Sequence, residues 1–540
     1  MALARPQHPH PEPAVGGWGD SAQVPELSEP VINLLRDGLG IEHPPPRGEI
    51  ELPARRLDDG AISALEAIVG GEHVHVDDDA RLAHTGGRST PDLLRRRAGE
   101  AAGAPDAVVL PAGHDEILEL LQACTERRIA VTAYGGGSSV VGGLEPDAAG
   151  FTGAIALDTR RLDALIGLDE ISRLATLEPG LRGPQAEQLL GERGYTLGHF
   201  PQSYEYATLG GFAAARSSGQ ASAGYGRFDE LVMALKLATP VGTLAVGRAP
   251  RSAAGPDLRQ LLLGSEGTLG VITELTLQVR PKPEATAYHG WRFDDFAQGT
   301  EALRALAQDG PLPSVLRLSD EAETALNLTR PGAVATAGGG GALAIVGYEG
   351  TRADVEERQT GVARVLERHG AHFDEAAGEH WVSERFRGPY LRDALLDAGA
   401  LVETLETACF WSALPDIYAR VTHAIRHALT EQGTPPVVLC HISHVYATGA
   451  SLYFTIGCAQ AADPVAQWRA TKSAASDAIL AGGASISHHH GIGRDHREWY
   501  EREIGELGVR VLTAVKRELD PAGILNPRVL LGVCSPRPWP

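Results

Sequence analysis

Three loops of small residues inside one 140-residue stretch constrain this 540-residue chain more than any other feature. The first, Tyr134-Gly135-Gly136-Gly137-Ser138-Ser139-Val140, follows the apolar run Ile129-Ala130-Val131-Thr132-Ala133. Before it, 107–111 reads as a short strand, and Ile117, Leu118, Leu120, Leu121 and Cys124 recur at helical spacing within 115–127. The pattern is a β-α-β unit that ends in a glycine loop. Successive glycines let the backbone approach a ligand and aim several N–H groups at one point, which suits a phosphate. No Gly-Lys-Ser/Thr follows and the spacing is not GxGxxG, so this is neither a P-loop nor a dinucleotide fingerprint. Alone it reads equally well as a plain glycine turn. It is joined by Gly198–Gly211, ending in Gly-Gly, and by Leu263-Gly264-Ser265-Glu266-Gly267-Thr268-Leu269-Gly270-Val271-Ile272. Three such loops point to a large, flat, phosphorylated ligand touched at several places.

The rest of the chain divides around that stretch. Residues 1–45 are rich in Pro, Gly and His and read as a disordered leader, with His8 and His10 in a solvated tail. An N-terminal helical segment covers 46–100, with a short helix at 62–68. The glycine-loop domain spans 101–283. It holds a strand and turn at 175–180, a hairpin of 235–238 with 243–246, and a strand 271–279 stopped by Pro281 and Pro283. Residues 284–482 alternate strands (343–347, 452–456) with helices (353–368, 416–430) and read as a second α+β domain. Gly338–Gly341 reads as a flexible loop, and 483–540 as a helical segment that returns to the first domain. With 48 Lys+Arg against 69 Asp+Glu, the net charge of −21 argues against non-specific nucleic-acid binding. No run of about 18 apolar residues suggests a membrane span. The N-terminus has no apolar core of a signal peptide, and the five scattered cysteines suggest neither a disulfide framework nor a zinc site. Arg far outnumbers Lys, which we read as the coding bias of a GC-rich, bacterial genome, and a reducing cytoplasm fits best.

The ordered motifs GGGSSVVGG, PQSYEYATLGG and GPDLRQLLLGSEGTLGVITE resemble the flavin-binding domain of the vanillyl-alcohol oxidase family over about 107–280. The resemblance implies an α+β fold: a PCMH-type FAD-binding domain of two α+β subdomains, an α+β cap domain over the substrate, and a helical C-terminal segment. It implies FAD, held through Ala133, Tyr134, Gly135, Gly136, Gly137, Ser138 and Ser139, and through Pro201, Gln202, Ser203, Tyr204, Glu205, Tyr206 and Ala207. Ala214, Ala215, Arg216 and Ser217, with Glu266, Gly267, Thr268, Leu269, Gly270, Val271 and Ile272, would complete the site. No residue matches the histidine that some members bond to flavin, so the FAD is expected to be non-covalent.

Chemistry concentrates in the C-terminal half. His488-His489-His490-Gly491-Ile492-Gly493 places three imidazoles in a row. Adjacent rings do not easily converge on one ion, and metal-binding pairs sit at helical or hairpin spacing, so proton transfer or oxyanion binding is the better reading and no metal is expected. Tyr446 stands just before an apolar strand, where a phenol most often packs; beside imidazoles it can act as acid and base. Arg392 and Arg317 each lie among apolar residues and need an anionic partner, either a structural carboxylate or a substrate phosphate.

With the flavin motifs, SISHHHGIGRD, LDPAGILNPRVLL, VYATGASLYF and PYLRD resemble the alkyl-dihydroxyacetone-phosphate synthase family over most of the chain after about residue 100. The resemblance implies exchange of the acyl group of acyl-dihydroxyacetone phosphate for a fatty alcohol, giving an ether lipid precursor without net redox. It makes Tyr446 the acid/base tyrosine, His488, His489 and His490 the essential triplet, and Arg392 and Arg317 substrate-binding arginines. It also implies a homodimer with peripheral membrane contact. The chain does not follow the family closely around 320–390, which should line the acyl tunnel. The rival is an FAD-dependent 2-hydroxy-acid dehydrogenase or oxidase of the D-lactate or glycolate type. Such enzymes carry His-x-Gly-Asp-Gly-Asn-x-His and a Glu before His-Gly-Ile-Gly; here 441–454 lacks Gly-Asp-Gly-Asn and the Glu position is His489. A flavoprotein without turnover is opposed by the clustered Tyr, His and Arg.

Overall fold

The helix His114–Arg127 turns its helical spacing into a buried face made of Ile117, Leu120, Leu121 and Cys124. The chain leaves it through Arg128, in left-handed backbone at φ 55°, straight into the strand Ile129–Tyr134. In the computed structural model, which describes residues 3–6, 12–326 and 340–532, this strand pairs in parallel with Gly153–Asp158, which pairs in parallel with Ala107–Val109. Gly153–Asp158 is buried along its whole length, as a parallel sheet covered on both faces requires. The register sets Tyr134 opposite Asp158. The first glycine loop therefore leaves the sheet at a strand's C-terminal end, where α/β sheets bind ligands. Val74–His75 completes the sheet antiparallel to Ala107–Val109, so this sheet begins upstream of residue 101.

A second, antiparallel sheet runs in the order Leu165–Asp169, Leu174–Leu177, Val271–Gln278, Val232–Thr239, Gly242–Val246. Pro281 does not end the strand outright. Arg280–Pro281 makes one more short pairing with Tyr195–Thr196, at an edge where a proline removes no interior ladder bond.

The third sheet has seven antiparallel strands in the order His372–Asp374, Ala285–Phe293, Ala342–Gly350, Val315–Ser319, Val437–Tyr446, Gly449–Ala459, Ala400–Phe410. The helix Leu414–Glu431 buries Leu414, Ile417, Val421, Ile425 and Leu429, a three-and-four spacing that presents one apolar stripe. Strand alternation then separates two environments. Leu316, Leu318, Ala344, Val346, Ile442 and Phe454 join the helices in the largest core. Their neighbours Arg317, Leu343, Ile345, His441 and Tyr453 face a cavity on the other side.

The chain ends depart from the sequence reading. The described part of 1–45 is not a loose leader. Ala4 bridges Leu165, Arg160 donates to Glu12 at 2.5 Å, Trp18 is 5% exposed, and Val31 and Leu35 pack with Leu395 and Ala400. Composition averages over a stretch and does not register that one Trp and a few aliphatic residues can anchor it. At the other end, Arg497–Leu519 is helical but 483–496 contains no helix. Ile524 O accepts from Val131 N at 2.8 Å and Asn526 N donates to Val131 O at 2.8 Å, extending the parallel sheet. His8, His10, Gly338 and Gly339 lie outside the described residues.

Candidate active site

Between the first domain and the seven-stranded sheet lies a cavity of about 1060 Å³. Ala133 to Ser139 all line it, as do Pro201, Gln202, Ser203, Ala207, Ala214, Ala215, Ser217, Gly267, Gly270, Val271 and Ile272. Among the described residues, no acceptor takes the backbone N–H groups of Gly135 through Ser139, so the loop presents a row of donors to the cavity. Gly137 needs its positive φ of 69° to do so. At Gly136 an added Cβ would sit 1.8 Å from Tyr206 O, which shows how tightly the first two loops are apposed. This donor set fits the diphosphate of FAD.

Six expected contacts face elsewhere and shape the loops instead. Tyr204 stacks on Phe386 with ring centroids 5.5 Å apart. Glu205 accepts from the Tyr390 hydroxyl at 3.1 Å, and the Tyr206 hydroxyl accepts from Asp20 N at 3.0 Å. Arg216, at φ 52°, donates to Asp229 at 3.0 Å. The Thr268 hydroxyl donates to Ser265 O at 2.7 Å, and Leu269 is core. Glu266 does line the cavity, but its carboxylate accepts from Ile492 N at 2.5 Å and Gly493 N at 2.7 Å. Burial pushes its pKa up to about 7 against the pull of those two bonds. Asn526 Nδ2 donates to Glu266 O at 2.7 Å and to Gly143 O at 3.0 Å. The third loop, the first loop and the C-terminal tail are thus fastened to one another beside the cavity.

The histidine run owes its irregular backbone to a second buried carboxylate. Glu406, 1% exposed, accepts from the N–H groups of His488 (2.6 Å), His489 (3.1 Å) and His490 (2.9 Å) and from the Ser487 hydroxyl (2.9 Å). A helix would have taken those N–H groups itself. Despite its burial, Glu406 is held well below the ordinary carboxylate range by the attraction of His489, His490 and His488 in the acid range where those rings are protonated, and by the bond from His490 N. Burial, with His444 and Arg227 nearby, holds His488 well below 6.5, and burial likewise keeps His444, His489 and His490 low. The rings are neutral hydrogen-bonding groups near pH 7.

Tyr446 Oη lies 2.6 Å from His488 Nε2. Burial raises the phenol's pKa, while Arg227 and Ser218, hydrogen-bonded to it, pull it back. Tyr446 and His488 do not line the main cavity; Ser218, His444, His489 and His490 do. Tyr446 also borders a hollow of about 800 Å³ with Phe410 and Ser485. The nitrogens of His444, His488 and His489 come within 4.8 Å of one another; the ring that joins the two consecutive ones comes from the strand Val437–Tyr446 and not from His490. Both nitrogens of His488 have partners, Tyr446 on one side and His489 Nδ1 at 2.9 Å on the other.

The two arginines differ. Arg317 lines the cavity but is ion-paired with Glu323, and His441 Nδ1 lies 2.9 Å from that carboxylate. Against burial, His441 and Arg317 hold Glu323 down at about 2. Arg317 therefore has the structural partner. Arg392 is 9% exposed and lines the cavity, and among the described residues its Nε and Nη2 have no acceptor. Sequence reasoning passed over Glu406, His444, Arg227 and Trp18. Only Glu406 carried a signal, as one of two acids, with Glu403, inside the strand-forming run 400–410.

Two family descriptions match the chain: "FAD binding domain" over 105–247 and "FAD linked oxidases, C-terminal domain" over 282–530. An alkyldihydroxyacetonephosphate synthase from Dictyostelium discoideum is 33% identical, covering 87% of this chain and 80% of its own. One from Trypanosoma brucei brucei is 32% identical, covering 89% and 82%. A solved alkyldihydroxyacetonephosphate synthase structure, 29% identical, superposes with a TM-score of 0.83 over 96% of this chain and 98% of that one. The site geometry, the cofactor cradle and these relatives together place the chain in the alkyldihydroxyacetonephosphate synthase family of FAD-linked proteins.

Proposed function

We propose that this chain exchanges the acyl group of acyl-dihydroxyacetone phosphate for a fatty alcohol, releasing a fatty acid and forming the ether. The observation that carries the reading is Arg392, a buried guanidinium with free donors in a cavity also lined by the apolar Val315, Leu326, Leu343, Ile345 and Leu439. A cavity that holds a buried guanidinium with free donors beside many apolar side chains suits an amphiphile with an anionic end.

When bound, FAD supplies the electrophilic chemistry that the side chains lack. Arg392 takes the phosphate and orients the dihydroxyacetone carbon. His488 accepts the Tyr446 proton, Arg227 stabilises the phenolate, and Tyr446, hydrogen-bonded to the cavity-lining Ser218, removes and returns a proton at the substrate carbon through that hydroxyl. His489 and His490, neutral and fixed by Glu406, donate to the departing carboxylate. Arg317, paired with Glu323, orders the wall along which the acyl or alkyl chain lies. A homodimer belongs to the same proposal, as does peripheral contact at the cytoplasmic face of a bacterial membrane, which the lipid character of the proposed substrates supports. Among the described residues no helix is long and apolar enough to cross a membrane.

Tyr446→Phe tests the assignment. The variant is expected to keep its FAD and fold and to lose at least about 100-fold in kcat, the range of general acid–base catalysis. Full ether formation by the variant would refute it.

A further inference from the structure

The segment that reads as a leader carries a cavity residue. Ala14 N donates to Gly19 O at 2.8 Å, closing a tight loop with Trp18 near its tip. Trp18 lines the cavity, stands edge-on to Tyr206 with ring centroids 6.3 Å apart, and lies under the Arg392 guanidinium at 5.9 Å. Trp18 N donates to Asp393 Oδ2 at 2.6 Å, and Arg97 donates to Gly16 O. Asp20 N and the Tyr390 hydroxyl (3.2 Å) both meet the Tyr206 hydroxyl. The strap thus runs from the flavin domain at Arg160 to the cap helix Gly388–Asp397.

We propose that residues 12–24 form part of the substrate site and that Trp18 is a positioning residue for Arg392. This rests on the reading of Arg392 as the phosphate ligand. A guanidinium fixed by a carboxylate is oriented but neutralised, as Arg317 is by Glu323. A guanidinium fixed by an aromatic face is oriented with its N–H edge still free to hydrogen-bond an incoming anion. The neighbouring carboxylate that could compete, Asp393, has Oδ2 held by Trp18 N, and its Oδ1 lies 3.7 Å from Arg97 Nη2. Trp18 therefore supplies the ring and also engages the competing acid. The strap lies outside both matched regions, 105–247 and 282–530, so it adds a specificity element to a shared flavin scaffold.

The test uses the full-length holoenzyme carrying Trp18→Leu, Trp18→Phe, Arg392→Ala and the Leu/Ala double substitution. KM for acyl-dihydroxyacetone phosphate, kcat, inhibition by inorganic phosphate and flavin absorbance are measured for each. Trp18→Leu keeps apolar bulk but removes the π face. It is expected to raise KM and weaken phosphate inhibition by about tenfold, with kcat within about twofold and the flavin spectrum unchanged. Trp18→Phe restores most of the loss, and Trp18→Leu adds nothing further once Arg392 is Ala. If Trp18→Leu leaves KM and phosphate inhibition unchanged, or weakens both equally with and without Arg392, the positioning role is overturned while the phosphate assignment stands. If Arg392→Ala itself leaves KM unchanged, the phosphate assignment falls and this inference falls with it.

Discussion

Glu406→Gln is the perturbation that most severely tests the architecture of the histidine run. One carboxylate oxygen, Oε1, accepts from the Ser487 hydroxyl, His489 N and His490 N; the other, Oε2, accepts from His488 N at 2.6 Å. A glutamine keeps its carbonyl on the side with three donors and turns its NH2 toward His488 N. One charge-assisted bond is then lost and a buried N–H is left facing another donor, costing about 2–3 kcal/mol. The other three bonds fall from charge-assisted to neutral, about 0.5–1 kcal/mol each. Relief of carboxylate burial offsets part of this, leaving a destabilisation of about 3 kcal/mol. Because His488 N moves away, Tyr446 loses its 2.6 Å partner, and a misplacement of about 1 Å lowers kcat about 100-fold. Urea denaturation measures the first quantity and ether formation the second. Flavin absorbance serves as the control, because Glu406 touches none of the glycine loops. A variant with stability within about 0.5 kcal/mol of the parent and an unchanged kcat would refute the reasoning.

Two further outcomes follow from the same structure. Gly136→Ala forces the first two loops apart, because its Cβ would lie 1.8 Å from Tyr206 O; the protein should fold yet release FAD at least about tenfold more readily, read by flavin fluorescence on dilution. Acid should destabilise the fold below about pH 6.5. Burial lowers His199 and His496 to about 3 and also depresses His444, His488, His489 and His490. The unfolded chain therefore binds more protons than the native one between those values and about 6.5, and stability present above 6.5 is lost as pH falls. His199 and His496 alone account for about 3 kcal/mol between pH 7.5 and 5.5. Glu266, raised to about 7, and Asp320, raised to about 6, oppose this by about 2.5 kcal/mol over the same window, and burial also raises Glu178, Glu187 and Asp393; the sign is carried by the remaining depressed histidines, which with His114, His289 and His441 number seven. Urea midpoints at the two pH values check the sign, and equal midpoints would contradict it.

Much of the fold was legible because periodicity survives in a single sequence. The spacing of Ile117, Leu120, Leu121 and Cys124 identified a helix, and the run 129–133 a strand, without knowledge of their neighbours. The glycine loops were legible for a related reason: the backbone approach they make is available to few other residues. What could not be read depends on contacts distant in sequence. Glu266 looked like a cofactor residue, but its partners are Ile492 and Gly493. Arg317 and Arg392 looked alike, yet the local turn after Val315–Ser319 gives Glu323 to one, and only the fold brings Trp18 to the other. The strap failed composition analysis because its anchoring depends on a few side chains set among prolines and glycines.

The central claim is an exchange at carbon without net electron transfer. Its most direct test is multiple-turnover product analysis of purified holoenzyme under anaerobic conditions, with acyl-dihydroxyacetone phosphate and a fatty alcohol and no electron acceptor. The account predicts many equivalents of ether lipid per flavin, an equal quantity of free fatty acid, and oxidised flavin at the end. Turnover that stops without an acceptor, or flavin bleached by a D-2-hydroxy acid and restored only by an acceptor, would contradict it and identify the chain as a dehydrogenase.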